Sequence, residues 1–271
     1  MRKFEGVLLC TDLDGTLLSE SGSVSKENKD AIEYFKSEGG KFTFVTGRPP
    51  MIIGDVYKQV EPNAPVGCFN GGGIYDFESR KFLWSVELPS EAIELVKYAV
   101  KEIPDMGVQL NTANRIIFTH ENSATVWFRD MTNIPNDPCD IDEVNETVIK
   151  ILFCHDDSAT HERLARLLSL HPKSQMFDFI RSEERLYELL PKGISKGDLL
   201  VRLADILGID RKKTIAVGDY NNDISMIKAA GIGYAVANAI PQAKAVADRV
   251  TVSNEQHAIA EIIKDLEKCG I

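Results

Sequence analysis

The chain has 271 residues, with 41 acidic and 31 basic side chains, a net charge of −10 and an isoelectric point near 5.1. This acidic balance argues against a nucleic-acid partner and against an anionic membrane surface, because like charges repel. No apolar stretch approaches the ~18 residues of a membrane span, so we expect no membrane partner. Five cysteines without a C-x-x-C pair are typical of reduced thiols, so we expect a cytoplasmic protein.

The first predicted element is a buried strand that ends in two acidic residues. Residues 7–10 form a continuous apolar run, which is typical of a strand in a parallel sheet, and Asp12 and Asp14 follow it. Residues two apart in an extended chain project to the same side, and Gly15 allows a sharp turn after them. Two carboxylates this close repel each other. The pattern therefore predicts a hard divalent cation, a raised pKa on one of the acids, or both.

Two more predicted strands repeat this pattern. Ser25 is the expected N-cap of a helix that extends to about residue 38, and buried strands follow at residues 42–45 and 66–69. Small or polar residues stand directly after the strands: Thr46, Gly47, Arg48 and Asn70. Strands that alternate with helices favour an α/β fold with a doubly wound, mostly parallel sheet.

The alternation changes between about residues 82 and 190. Strands are predicted at residues 82–87, 115–119, 125–129, 148–154, 175–180 and 185–190, and helices only at 91–103 and 160–168. This composition favours an inserted α+β domain with a largely antiparallel sheet. We predict that residues 1–86 and 191–271 together form the α/β core and that residues 87–190 form the inserted domain.

The α/β alternation then returns. Ser195 is a predicted N-cap for a helix over residues 196–207, which begins with Lys196. A buried strand at residues 214–217 ends in a Gly-Asp-Tyr-Asn-Asn-Asp segment. The remaining elements are a helix to about residue 230, short strands at 232–236 and 249–252, and a final helix at about 255–268.

The polar residues at the strand ends are expected to meet at one edge of the parallel sheet. They are Asp12, Asp14, Thr46, Gly47, Arg48, Asn70, Asp219, Asn222 and Asp223, joined by Lys196 at a helix start. This set suits a phosphate group beside a metal ion. Mg²⁺ takes oxygen ligands, which could come from the side chains of Asp12 and Asp219 and from the main-chain carbonyl of Asp14. Lys196 offers the opposing positive charge, and the Thr46 hydroxyl and main-chain amides offer neutral donors.

Four ordered motifs resemble those of the haloacid dehalogenase superfamily, and within it the Cof-like sugar-phosphatase group. They are DLDGT at residues 12–16, VTGR at 45–48, the lysine at Lys196 and GDYNND at 218–223. FNGGG at residues 69–73 and GISKG at 193–197 also match the group. The resemblance covers the whole predicted core.

The resemblance implies an Mg²⁺-dependent phosphatase that acts on a small phosphorylated metabolite, with sugar phosphates as the expected class. Asp12 would attack phosphorus and form an aspartyl phosphate, while Asp14 would protonate the leaving alcohol and then activate water. The inserted α+β domain corresponds to a C2-type cap, which closes over the substrate. Implied substrate ligands are Thr46, Gly47, Arg48, Asn70, Lys196 and Asn222.

Other interpretations stay open. A phosphomutase would share the aspartyl-phosphate chemistry, and a non-catalytic protein could keep a pocket for phosphorylated metabolites without turnover. A dehalogenase is disfavoured by Asp14, because displacement at carbon needs no proton donor for an alcohol. Arg48 could stabilise its own loop instead of binding substrate, and we expect Asp223 to orient the Asp219 loop more than to bind metal.

Overall fold

The computed structural model describes residues 2–271. The chain packs into two compact units: the core unit combines the segment up to Trp84 with Ser195–Ile271, and the cap unit is Ser85–Ile194. None of the helices within residues 2–271 is long and apolar enough to cross a membrane.

The regular elements alternate along the chain. The strands are β1 (Leu8–Thr11), β2 (Lys41–Phe44), β3 (Val66–Cys68), β4 (Gly73–Asp76), β5 (Lys81–Ser85), β6 (Gly107–Thr112), β7 (Ile116–His120), β8 (Val148–Cys154), β9 (Phe177–Glu183), β10 (Leu186–Pro191), β11 (Thr214–Gly218), β12 (Ile232–Ala235) and β13 (Arg249–Val250). The helices are α1 (Lys26–Ser37), α2 (Gly54–Val60), α3 (Glu91–Glu102), α4 (Ser123–Thr132), α5 (Ser158–Ser169), α6 (Lys196–Leu207), α7 (Ile224–Ala229), α8 (Pro241–Val246) and α9 (Ala258–Cys269).

The core unit is built on a parallel sheet with the strand order β13-β12-β11-β1-β2. Helices cover both of its faces. On one face, Leu8 and Cys10 of β1 pack against Leu203 and its neighbours in α6. On the other, Tyr234 of β12 reaches α9, where its hydroxyl donates to Asp265 Oδ2 at 2.6 Å. The predicted α/β fold with a doubly wound, mostly parallel sheet is therefore confirmed.

The third predicted strand is placed differently from the expectation. β3 belongs to a separate three-stranded sheet, β3-β4-β5, in which it pairs antiparallel with β4. Just after β2, a parallel bridge joins Val45 to Gly67. The chain reverses directly after β3, with φ values of +56° at Phe69 and +55° at Asn70. The glycine-rich turn at residues 71–73 therefore closes a hairpin with β4 and does not lead into a helix.

The cap unit contains an antiparallel sheet with the strand order β7-β6-β8-β10-β9. One face of this sheet packs against α3 and α5 through an apolar cluster that includes Leu95, Val108, Phe153 and Leu164. This unit confirms the predicted α+β insertion.

In the cap unit, one predicted strand was wrong and one strand was missed. Residues 125–129, predicted as a strand, lie in α4, because a capping box starts the helix: Asn122 Oδ1 accepts from the Thr125 amide at 3.0 Å, and Thr125 Oγ1 accepts from the Asn122 amide at 2.9 Å. Strand β6 was not predicted at all, because its alternate residues Gln109 and Asn111 are polar and yet completely buried.

The packing of α6 on the parallel sheet predicts a stability difference along that helix. Leu203 is fully buried, whereas Ile206 is 46% exposed. We expect Leu203→Ala to lower the free energy of unfolding by about 2–5 kcal/mol, because it removes buried apolar surface and leaves a cavity. Ile206→Ala should change it by no more than about 1 kcal/mol. Urea unfolding of both variants checks this, and equal losses would contradict the assigned packing.

Candidate active site

Lys196 lies at the centre of the site, buried at the first residue of α6. Ser195 caps this helix by accepting from the Asp198 amide at 3.2 Å, which fixes the residue that follows it. The Lys196 ammonium donates to Asp12 Oδ1 and to Asp223 Oδ1, each at 2.6 Å. Burial alone would lower its pKa, but attraction by Asp12 and Asp223 outweighs burial and raises the pKa above 10.5. The lysine is therefore a fixed positive charge.

Asp12 follows β1 at the carboxyl end of the parallel sheet. Its amide donates to the Val217 carbonyl of β11 at 3.0 Å, which sets it beside the segment that carries Asp219. The residue as a whole is 6% exposed. Burial raises the pKa of Asp12 well above its ordinary value; Lys196 opposes this shift, and the neighbouring carboxylates add to it.

The Gly-Thr pair of the first motif supports Asp219. Gly15 has φ of +75°, and a Cβ at this position would lie 2.6 Å from Asp219 Oδ2, so only glycine fits the turn. Thr16 Oγ1 donates to Asp219 Oδ1 at 2.9 Å. Burial, with repulsion from Asp223, raises the pKa of Asp219 to about 7. The first motif thus supplies Asp12 and also shapes the surroundings of Asp219, which lies 203 residues after Thr16.

Asp223 organises the loop that bears Asp219. Its Oδ2 accepts from the amides of Asp219 and Tyr220, each at 3.0 Å, and its Oδ1 accepts from Lys196. Both oxygens are therefore held by groups of the site itself. These contacts agree with the orienting role that the sequence predicts for Asp223.

The acids of the core unit form a set that could hold a divalent cation. Asp12, Asp219 and Asp223 each offer a carboxylate oxygen, and the three oxygens lie within 4.8 Å of one another. Oxygen donors from carboxylates suit Mg²⁺, and a cation here would relieve the repulsion that three acids around one lysine create. The residues present therefore fit the predicted metal.

Asp14 lies in different surroundings from Asp12. Its side chain is 59% exposed, and both of its oxygens accept from Arg48, from Nε at 2.9 Å and from Nη2 at 2.5 Å. The Arg48 amide in turn donates to Thr46 Oγ1 at 3.1 Å. Arg48 therefore holds the Asp14 carboxylate in place, and one bidentate pair joins the first motif to the second.

The remaining predicted ligands also come together. The Asn70 amide donates to the Thr46 carbonyl at 3.1 Å, and Asn70 Oδ1 accepts from Asn222 Nδ2 at 3.0 Å. A Cβ on Gly47 would lie 2.9 Å from Asn70 Nδ2, so this glycine allows the close approach of the two loops. Asn222 Oδ1 is buried with no hydrogen-bond partner among the described residues.

Asn238 was not predicted as a site residue. Its Nδ2 donates to the Gly15 carbonyl at 2.8 Å, and its Oδ1 accepts from the Asn254 amide at 3.1 Å. It therefore supports the turn between Asp14 and Thr16. Its position shortly after β12, at the same end of the sheet as the other site residues, is the signal that could have identified it.

A parallel sheet that brings a buried lysine, three clustered carboxylates and amide donors to the carboxyl ends of its strands defines a class of protein: enzymes that transfer phosphoryl groups. Comparison with known proteins narrows this class. The family of haloacid dehalogenase-like hydrolases matches residues 9–263, and this chain belongs to that family. The protein is a phosphomonoester hydrolase, and the resemblance to Cof-like phosphatases indicated by the four motifs is confirmed.

Individual relatives match over nearly the full length. YxeH of Bacillus subtilis (strain 168) is 31% identical over 96% of this chain and 97% of its own. The 5-amino-6-(5-phospho-D-ribitylamino)uracil phosphatase YitU of the same organism is 26% identical over 95% of this chain and 96% of its own. The structure of the subclass IIB sugar phosphatase BT4131 has a TM-score of 0.86 at 22% identity, covering 96% of this chain and 99% of that chain, which shows a common fold.

The buried ion pairs of Lys196 predict a loss of stability when the ammonium is removed. We expect Lys196→Met to lower the free energy of unfolding at neutral pH by about 3–5 kcal/mol, because Asp12 and Asp223 would lose their shared cation. The control is Lys264→Met, which removes an exposed pair with Glu261 on α9 and should cost at most about 1 kcal/mol. Chemical unfolding measures both, and a loss no larger than the control's would contradict the electrostatic account.

Proposed function

We propose that this protein is an Mg²⁺-dependent phosphatase of the cytoplasm that hydrolyses a small phosphorylated metabolite, a sugar phosphate or a similar phosphomonoester, through an aspartyl phosphate. The contact that carries the proposal is the one between Lys196 and Asp12, 2.6 Å apart and buried. This lysine can hold one oxygen of Asp12 and also face the incoming phosphoryl group.

In the first half-reaction, a carboxylate oxygen of Asp12 attacks phosphorus, and the bond from phosphorus to the leaving oxygen breaks. Asp14 gives its proton to that oxygen, so an alcohol departs and Asp14 becomes a carboxylate. Mg²⁺ would be held by Asp12, Asp219 and the main-chain carbonyl of Asp14, and when bound it would offset charge on the phosphoryl oxygens. Lys196 opposes the same charge from its fixed position.

In the second half-reaction, water attacks the phosphorus of the aspartyl phosphate. Asp14 accepts the proton from this water, the bond from phosphorus to Asp12 breaks, and inorganic phosphate leaves. Asp12 and Asp14 return to their starting states. The exposure of Asp14 supports this double role, because the group must exchange protons with both an alcohol and water. Arg48 fixes the position of the Asp14 carboxylate through their bidentate contact.

The phosphoryl oxygens need neutral donors as well as charges. We assign this role to the Thr46 hydroxyl, the main-chain amide of Gly47 and the side chain of Asn222, with Asn70 orienting Asn222 through their hydrogen bond at 3.0 Å. The relative YitU is named for a substrate whose phosphate is on a ribityl chain. That name supports a phosphorylated, hydroxylated carbon chain as the substrate class.

Replacing the nucleophile tests the covalent step. We expect Asp12→Asn to lower kcat for p-nitrophenyl phosphate by at least about 10⁴-fold with the fold intact, because an amide cannot form the acyl phosphate. Phosphate release, with circular dichroism as the check on folding, measures the effect. Turnover close to wild type in a highly purified sample would contradict the assignment.

Removal of the metal tests the Mg²⁺ requirement. Wild-type enzyme treated with EDTA should lose turnover and regain it when Mg²⁺ is added. Full turnover of the EDTA-treated enzyme without any added metal would contradict the requirement.

The acid role of Asp14 predicts a dependence on the leaving group. We expect Asp14→Asn to slow the first half-reaction of an alkyl phosphate by about 10²–10⁴-fold and that of p-nitrophenyl phosphate much less, since nitrophenolate leaves without a proton. Single-turnover kinetics on the two esters compares them. Equal losses on both would show that Asp14 is not the acid.

A further inference from the structure

The turn of the first motif is held by a contact to its glycine. Gly15 has φ of +75°, and its carbonyl accepts from Asn238 Nδ2 at 2.8 Å. Glycine rotates more freely than any other residue, so an unanchored Gly15 would let the peptide planes on either side of it turn. One of these planes carries the main-chain carbonyl of Asp14, which is one of the proposed metal ligands. The contact from Asn238 fixes the other plane and so restricts rotation at Gly15.

Asn238 belongs to a segment that also lies against the second acid-bearing loop. Residues 236–240 follow β12, and we call them the bridging segment. The Ile240 amide donates to the Asp219 carbonyl at 2.9 Å. The bridging segment is thus hydrogen-bonded to the main chain at Asp219 and, through the Asn238 side chain, to the main chain at Gly15. It joins the two loops that carry the proposed metal ligands.

The orientation of the Asn238 side-chain amide is determined by its two neighbours. Its Oδ1 accepts from the Asn254 main-chain amide at 3.1 Å. A main-chain amide can only donate and a carbonyl can only accept, so the oxygen must face Asn254 and the nitrogen must face Gly15. Asn254 in turn donates through Nδ2 to the Leu18 carbonyl at 2.9 Å. Two linked asparagines therefore hold the turn both at its glycine and at its end.

These contacts lie at the surface, where a hydrogen bond contributes little to overall stability. Asn238 is exposed, and water can replace either of its partners. Asn63 makes the same pair of contacts elsewhere in the core unit: its Nδ2 donates to the Gly40 carbonyl at 3.0 Å, and its Oδ1 accepts from the Phe42 amide at 2.8 Å. Asn63 is also exposed, but it lies beside the start of β2, at the end of the parallel sheet away from the acids. A role in the fold alone would therefore be the same for both asparagines.

We propose that Asn238 is a positioning residue that prepares the metal site by holding the Gly15 turn, and with it the main-chain carbonyl of Asp14, in one arrangement. This inference rests on the proposed Mg²⁺-dependent function and deepens it. A site whose ligands are already ordered binds a cation more tightly, because less conformational entropy is lost on binding. The hydrogen bond from Thr16 Oγ1 to Asp219 Oδ1 at 2.9 Å connects the same turn to a further proposed ligand.

Mg²⁺ binding to the metal-free protein tests the proposal. In Asn238→Ala, isothermal titration calorimetry should give a Kd for Mg²⁺ about three- to tenfold higher than in the wild type, the change expected for the loss of one hydrogen bond that orders the site. With p-nitrophenyl phosphate, the Mg²⁺ concentration that gives the half-maximal rate should rise by a similar factor. Saturating Mg²⁺ should restore most of the lost turnover, because the variant keeps every proposed metal ligand.

The matched control is Asn63→Ala, which removes the same kinds of contact at the other end of the sheet. Both variants should lower Tm by no more than about 4 °C, and only Asn238→Ala should raise the Kd. A wild-type Kd in Asn238→Ala would overturn the proposal. An equal rise in Asn63→Ala would also overturn it, since the effect would then come from a general loss of stability. Asn238→Ser, whose side chain is too short for both contacts, replaces the alanine variant if that variant does not fold.

Failure of the inference and failure of the proposed function give different results. A wild type that binds Mg²⁺ and needs it for turnover, together with an Asn238→Ala variant of equal affinity, overturns the role of Asn238 alone. A wild type that binds no Mg²⁺, or that hydrolyses p-nitrophenyl phosphate fully after EDTA treatment, overturns the metal requirement of the proposed function, and the inference that rests on it falls as well.

Discussion

The site depends on one buried lysine that holds two carboxylates. Asp12, Asp223 and Lys196 come from three distant segments of the chain, and contacts of 2.6 Å join them in a place that excludes water. Without this cation, burial and the neighbouring carboxylates would disfavour the charged form of Asp12 still further, and a protonated acid is a poor nucleophile. The apolar packing of α6 against β1 and its neighbours fixes the lysine at this point. Lys196 therefore contributes both to the stability of the core and to the charge state of the nucleophile.

The two aspartates of the first motif perform different roles because their surroundings differ. Asp12 is buried against Lys196, whereas Asp14, two residues later, is more than half exposed and bound to Arg48. A nucleophile needs a fixed position and protection from bulk water, while an acid-base group needs access to a proton carrier. The left-handed turn at Gly15 comes directly after Asp14 and packs against Asp219. The first motif therefore contributes Asp12 and Asp14 and also helps to position Asp219.

The residues at the carboxyl ends of the parallel strands could be predicted from the sequence, because each buried strand is a continuous apolar run followed by a small or polar residue. That rule located Asp12, Thr46 and Asp219, and the helix start predicted after Ser195 located Lys196. It failed where one signal has two structural meanings. The glycines after Asn70 suit a phosphate-binding turn and also suit the hairpin that they form. The Thr-Val-Trp-Phe run of α4 favours a strand by local propensity, but a capping box that starts at Asn122 makes this segment a helix.

The missed strand β6 is a different kind of failure, because its sequence contradicts its position. Gln109 and Asn111 are alternate residues of a central strand, where burial favours apolar side chains, and no strand was predicted there. Gln109 Nε2 donates to Asn111 Oδ1 at 3.3 Å, so each amide meets part of the other's hydrogen-bonding demand within the sheet. Pairing with β8, a long-range contact that local periodicity does not report, therefore places this segment inside the sheet.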